Sequence, residues 1–256
     1  MSQIGFQRVC AWSGIVCLSC FFGAFFAGHF IPPLAPSLSA QEVADHYQTY
    51  TTGIRFGSAL MLLAGMFYVA YCGCISAQIA RIPGVGPAVR YTQLGAGVLA
   101  CVTFLMPALV FFVTAYRPDR DPELTLMLND MAWIITIVPF PPFVTQYFAF
   151  GFAIFSDRRE RPLFPRWLGY LNVWAPTVYM SAVVAAFVKT GPFTWAGLIV
   201  FWLAGVVFST QFISNFLMLR RALDDEAGQL EQSSANQNVD DTLRPHVSAA
   251  VPVRVQ

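Results

Sequence analysis

Six apolar runs of membrane-spanning length, separated by charged stretches, constrain this chain more than any other feature. A bilayer core takes about 20 apolar residues per helix. The runs at about Val9–Phe30, Phe56–Ala80, Leu94–Ala115, Met131–Phe155, Leu168–Val188 and Trp195–Leu219 all meet that length. Charged residues make up 11% of the chain, well below the roughly 25% of a soluble domain. The expectation is an all-α polytopic membrane bundle. It has six transmembrane helices over residues 1–221 and a polar, disordered cytoplasmic tail over residues 222–256.

The cations orient the bundle. With the start of the chain in the cytoplasm, the inner segments hold nine arginines (Arg8, Arg81, Arg90, Arg158, Arg159, Arg161, Arg166, Arg220 and Arg221). The outer segments hold four cations, namely Arg55, Arg117, Arg120 and Lys189. An excess of cations inside predicts that both ends of the chain face the cytoplasm. Trp167, Tyr170 and Trp195 fall at span ends, where interfacial aromatics belong. A cleaved signal peptide is the competing reading of the first run, but that run exceeds a signal h-region of about 7–15 residues.

Two outer loops carry structure signals. Ile31-Pro-Pro-Leu-Ala-Pro36 stops the first helix, and Ser39-Ala-Gln-Glu42 has capping-box spacing, so a short outer-face helix is expected to about Tyr50. Asp121-Pro122 repeats the signal in the second outer loop, with proline at the first helical position and a short helix over Leu124–Asn129. The inner turn Ile82-Pro-Gly-Val-Gly-Pro87 resembles a phosphate loop only in composition, because it lacks the Lys-Ser/Thr ending. Asp157-Arg-Arg-Glu-Arg161 is a solvated cluster suited to anionic head groups.

Inside the spans the informative residues are prolines and uncharged amides. Val138-Pro-Phe-Pro-Pro-Phe143 interrupts the fourth run and removes several backbone donors where lipid supplies none. Such a break is the best sequence pointer to a cavity. Thr136, Pro139, Phe143 and Gln146 share a helical face there. With Asn172 and Gln211 they form the candidate ligand cavity, which competes with a plain packed kink. Gln78, Asn215, Tyr71 and Tyr147 complete a set of polar groups in the inner half of the spans, where interhelical hydrogen bonding is the alternative use. Arg55 and Asp130 sit at matching depth at the outer mouths of two spans and are expected to pair.

The absences narrow the chemistry. With only three histidines (His29, His46 and His246), haem or di-iron ligation within the bundle lacks its ligands. No charge lies deep in a run, which removes a voltage sensor or a carboxylate proton relay. The six cysteines lie in or beside apolar runs and read as small buried hydrophobes. No catalytic set, metal, cofactor or nucleic-acid footprint is expected. The expected partners are the lipid bilayer, a small apolar ligand and further copies or subunits in a homo- or hetero-oligomer.

Four stretches carry a resemblance: Thr52-Gly-Ile-Arg-Phe-Gly57, Leu128-Asn-Asp-Met-Ala-Trp133, Phe164-Pro-Arg-Trp-Leu-Gly-Tyr-Leu-Asn172 and Lys189-Thr-Gly-Pro-Phe-Thr-Trp195. Together they resemble a group of uncharacterised integral membrane proteins of actinobacteria and proteobacteria. They are more distantly similar to a bacterial membrane family with a domain of unknown function. The resemblance implies an inner-membrane location and about six helices, and transfers no activity. The leading expectation is a protein that binds or passes a small apolar or amphipathic molecule. A non-catalytic interaction or scaffold subunit comes second. A membrane enzyme using His46 and the outer carboxylates Glu42, Asp45, Asp119, Asp121, Glu123 and Asp130 comes third.

Overall fold

In the computed structural model, which describes residues 2–243, helices form and no strand does. Five helical stretches are long and apolar enough to cross a membrane: Gln3–Ala27, Thr51–Ile79, Pro87–Tyr116, Pro122–Ser156 and Leu198–Asn236. The first is α1 (Gln3–Ala27). After the Pro-rich turn comes α2 (Ala40–Thr49), whose capping box forms as the sequence predicts: Ser39 Oγ accepts from Glu42 N–H, and the Glu42 carboxylate accepts from Ser39 N–H. The second long stretch is α3 (Thr51–Ile79).

α1 and α3 form the closest pair, and two glycines allow it. A Cβ at Gly53 would run into the carbonyl oxygen of Ala27, and one at Gly57 into that of Ala24. Bare backbone on α3 therefore lies directly on backbone of α1, the close approach that small residues give membrane helices.

The third stretch is α4 (Pro87–Ala100) and α5 (Val102–Tyr116), which meet at a tight turn on Cys101. The fourth is α6 (Pro122–Ile137) and α7 (Pro141–Ser156), separated by the predicted proline break. Pro139 and Pro141 have no N–H to give Ile135 and Ile137, while Val138 O takes Phe140 N–H at 2.7 Å. Asp121 caps α6 as expected, with its carboxylate accepting from Glu123 and Leu124 N–H. A separate short helix in this loop does not form, because the capped segment continues without interruption into the span.

The fifth apolar run behaves differently from the others. α8 (Arg166–Tyr179) carries Pro176 internally and gives way to seven residues of 3-10 helix, Met180–Ala186. Neither piece alone reaches spanning length, which is why five stretches qualify rather than six. The sixth run opens as a π-helix, Leu198–Leu203, and continues as α9 (Ala204–Leu243). The disordered tail expected from residue 222 therefore does not begin there, since α9 is helical to Leu243. The remainder of the expected tail, 244–256, lies outside the described residues.

Each end of the bundle is tied by polar contacts. At the end holding the start of α1, Gln78 Nε2 donates to Gln7 Oε1 at 2.7 Å and to the Glu226 carboxylate at 3.2 Å. Arg81 pairs with Glu226 at 3.1 Å and donates to Ala222 O. α9 is thus clamped to α1 and α3. At the opposite end, Tyr47 of α2 donates to Asn129 Oδ1 at 3.2 Å, and Trp195 Nε1 donates to Leu34 O at 2.9 Å.

The connection after α7 is organised by one carboxylate. Asp157 has 1% of its side chain exposed, accepts from Arg159 N–H and Leu163 N–H, and pairs with the Arg159 guanidinium at 2.6 Å. The Arg159 bond and these backbone N–H groups hold its pKa down at about 2. A depressed carboxylate contributes stability that is full above its unfolded value, near 3.9, and is lost as pH falls through the folded value. Asp157→Asn should therefore lose about 1–2 kcal/mol at pH 6. That penalty should shrink on acidification to pH 3, as unfolding of the solubilised protein at both values would measure. A penalty unchanged by pH would sink this account.

Candidate functional site

A cavity of about 120 Å³ opens beside the α6/α7 break. Thr136, Pro139 and Phe143, three of the six residues expected there, line it. The other three do not. Gln146, Asn172 and Gln211 are fully buried and committed to two polar clusters nearby.

The first cluster joins α3 to α7. Tyr68 Oη donates to Gln146 Oε1, and Gln146 Nε2 donates to Cys72 Sγ at 3.3 Å. The second joins α8 to α9 and saturates one amide. Asn172 Nδ2 donates to Leu168 O and to Asn215 Oδ1, both at 2.8 Å. Its Oδ1 accepts from Asn215 Nδ2 and Gln211 Nε2, both at 3.0 Å. Tyr179 Oη then donates to Gln211 Oε1 at 2.6 Å. Tyr179 also lines the cavity, so this network ends at the cavity wall.

Most of that wall is aromatic, and this was the part sequence reasoning missed. Phe21 and Phe25 of α1, Phe104 of α5 and Phe208 of α9 line it. Phe21 meets Phe104 edge to face at 5.2 Å, and Phe208 meets Phe143 likewise at 5.8 Å. The available signal was spacing: Phe21 and Phe25 are four apart, and Phe201 and Phe208 are seven apart, each pair on one helical face. Beyond the cavity, Trp133 stacks on Phe25 at 5.6 Å.

The cavity carries no charged group, and its few hydroxyls already donate elsewhere. Thr103 gives its proton to Ala100 O, Thr136 to Ala132 O and Tyr179 to Gln211. What remains toward the cavity is aromatic surface and hydroxyl lone pairs. Such a site favours an apolar body, and any polar contact it makes is to a donor on the ligand. In size it is comparable to an engineered apolar cavity of about 150 Å³ that admits benzene.

Arg55 and Asp130 do not form the expected pair. Arg55 donates to Ala115 O at 2.9 Å and to Tyr116 O at 3.2 Å. These carbonyls end α5 and lack intrahelical partners, so they compete for a nearby cation. Asp130 Oδ1 is buried without a hydrogen-bond partner among the described residues. Three of the other groups weighed for an outer acid–base site are engaged locally. His46 Nε2 contacts Gly28 O at 3.0 Å and its ring stacks on Phe30, while Glu42 serves the cap and Asp45 accepts from Gln41. Burial lowers the His46 pKa. Nε2 directs a proton at the Gly28 carbonyl, a contact that favours the protonated ring and works against burial.

No family model matches this chain, and neither a curated protein nor a solved structure does.

Proposed function

We propose that this chain is a six-crossing protein of a bacterial inner membrane, with both ends cytoplasmic, that binds or passes a small apolar or amphipathic molecule through the cavity beside Pro139. The sixth crossing is α8 with its 3-10 continuation. At 1.5 Å per residue for α-helix and 2.0 Å for 3-10, the two pieces extend about 35 Å, enough for a hydrocarbon core of about 30 Å. The bacterial location rests on the resemblance of the four motifs, and the orientation on the distribution of arginines.

One observation carries the ligand reading: three departures from regular helix surround the same cavity. They are the break at Pro139, the 3-10 segment through Ala182 and the π-helix through Val200. Irregular backbone within a membrane is tolerated where protein or a cavity satisfies it, and π-turns recur at functional sites. Ala182→Phe places a ring in the cavity. Compounds extracted from the purified protein and identified by mass spectrometry should lose one apolar species in this variant while the fold is kept. Retention of the same species at the same level would reject the cavity as the site.

A non-catalytic interaction or scaffold subunit is the second reading. It draws on α9 beyond Glu226, where Gln229 to Asn236 stand exposed as a helical rod. A stable heteromer on native gels, with no copurifying ligand, favours it. The glycines Gly53 and Gly57, suited to helix contacts within or between chains, make theirs within the chain.

A further inference from the structure

At the end of the bundle clamped by Glu226, a second groove of about 220 Å³ lies between α1 and α9, lined by Arg8, Trp12, Arg220 and Asp224. The Arg220 guanidinium lies 5.6 Å over the Trp12 ring and 5.9 Å from that of Phe216, which meet each other edge to face at 4.8 Å. These rings hold the cation in place through cation–π attraction. Among the described residues Arg220 pairs with no carboxylate, so its N–H fork is free for a planar or tetrahedral oxyanion. Arg8 pairs with Asp224 at 2.8 Å, but both side chains are about half exposed, at 50% and 56%. Ion pairs that open to solvent hold weakly, and Arg8 can turn to a second acceptor.

Apolar surface continues from this groove along the same helix faces. Val16 is one turn beyond Trp12, while Leu217 and Ile213 are one and two turns from Arg220. All three are exposed. The groove therefore joins a polar, net-positive end to an apolar track, a pairing that suits an amphiphile and has no use for free phosphate. We propose that it binds one anionic phospholipid. Arg220 and Arg8 hold the phosphodiester, Trp12 lies against the glycerol region, and the acyl chains follow Val16, Leu217 and Ile213. A zwitterionic lipid brings its own ammonium into a groove that already holds two guanidinium groups, so the site discriminates by charge.

The test titrates the full-length protein in detergent with phosphatidylglycerol or phosphatidylcholine of identical acyl chains and counts bound lipid by native mass spectrometry. Phosphatidylglycerol should be retained over phosphatidylcholine. Arg220→Gln should weaken its retention about fivefold, as loss of one surface cation predicts. Asp224→Asn should strengthen it, a gain that misfolding cannot imitate. Arg117→Gln, at the opposite end, should change nothing, and excess glycerol phosphate should displace no lipid. Equal retention of both lipids, or equal loss in Arg117→Gln and Arg220→Gln, overturns the site. Displacement by glycerol phosphate overturns the lipid assignment in favour of a soluble phosphate.

Discussion

Asn172→Leu is expected to destabilise the protein by about 2–4 kcal/mol, the largest effect of any single polar substitution in the bundle. The cause is what the change leaves behind. Asn172 answers both its donors and its acceptor through Leu168, Asn215 and Gln211, all buried. Leucine fills the space and strands the Asn215 and Gln211 amides in a site that no water reaches. One interhelical hydrogen bond in a membrane contributes about 0.6–2 kcal/mol, and shared partners make the loss non-additive. Asn172→Leu with Asn215→Leu removes both halves of the reciprocal pair and should cost less than the two single changes summed. Unfolding in mixed micelles measures the cycle. Strict additivity, or a single-variant cost under about 0.5 kcal/mol, would show that the pair does not hold α8 to α9.

Gly53→Ala should be at least as damaging, through geometry rather than polarity. The added methyl meets the Ala27 carbonyl oxygen, a backbone atom that cannot rotate away, so α1 and α3 must separate. Overpacking of this kind costs about 1–3 kcal/mol and more where backbone must move. Accumulation of folded protein should fall sharply. Gly95→Ala is the matched control, since a Cβ there meets nothing within 4 Å, and a surface change of this type stays within about 0.5 kcal/mol. Equal behaviour of the two variants would contradict the close α1–α3 approach.

What could be read in advance followed from one-dimensional signals. Apolar length marked the runs, and the prolines marked the break between Ile137 and Pro141 and the cavity face of Thr136, Pro139 and Phe143. Gln146 was misplaced because a shared helical face does not reveal partners on other helices: three residues past Phe143 on α7, its amide is taken by Tyr68 and Cys72 of α3. Matching depth suggested Arg55 with Asp130, but depth gives no azimuth, and the carbonyl ends of α5 were nearer. The polar stretch after Leu219 lacks an apolar face, so nothing in its pattern distinguished the observed helix from a disordered tail. The Gln7–Gln78–Arg81–Glu226 clamp joins residues far apart in sequence and has no local signature.

That clamp gives α9 a fulcrum. From Gly205, at the cavity, to Glu226 the helix extends about 31 Å, and from Glu226 to Leu243 about 26 Å further. The upper arm is tied a second time, to α8 through Gln211 and Asn215, while the lower arm stands exposed from Gln229 to Asn236. A sideways load on the exposed arm therefore ends at the clamp, and the helix that walls the cavity is braced on the cavity side and bare on the other.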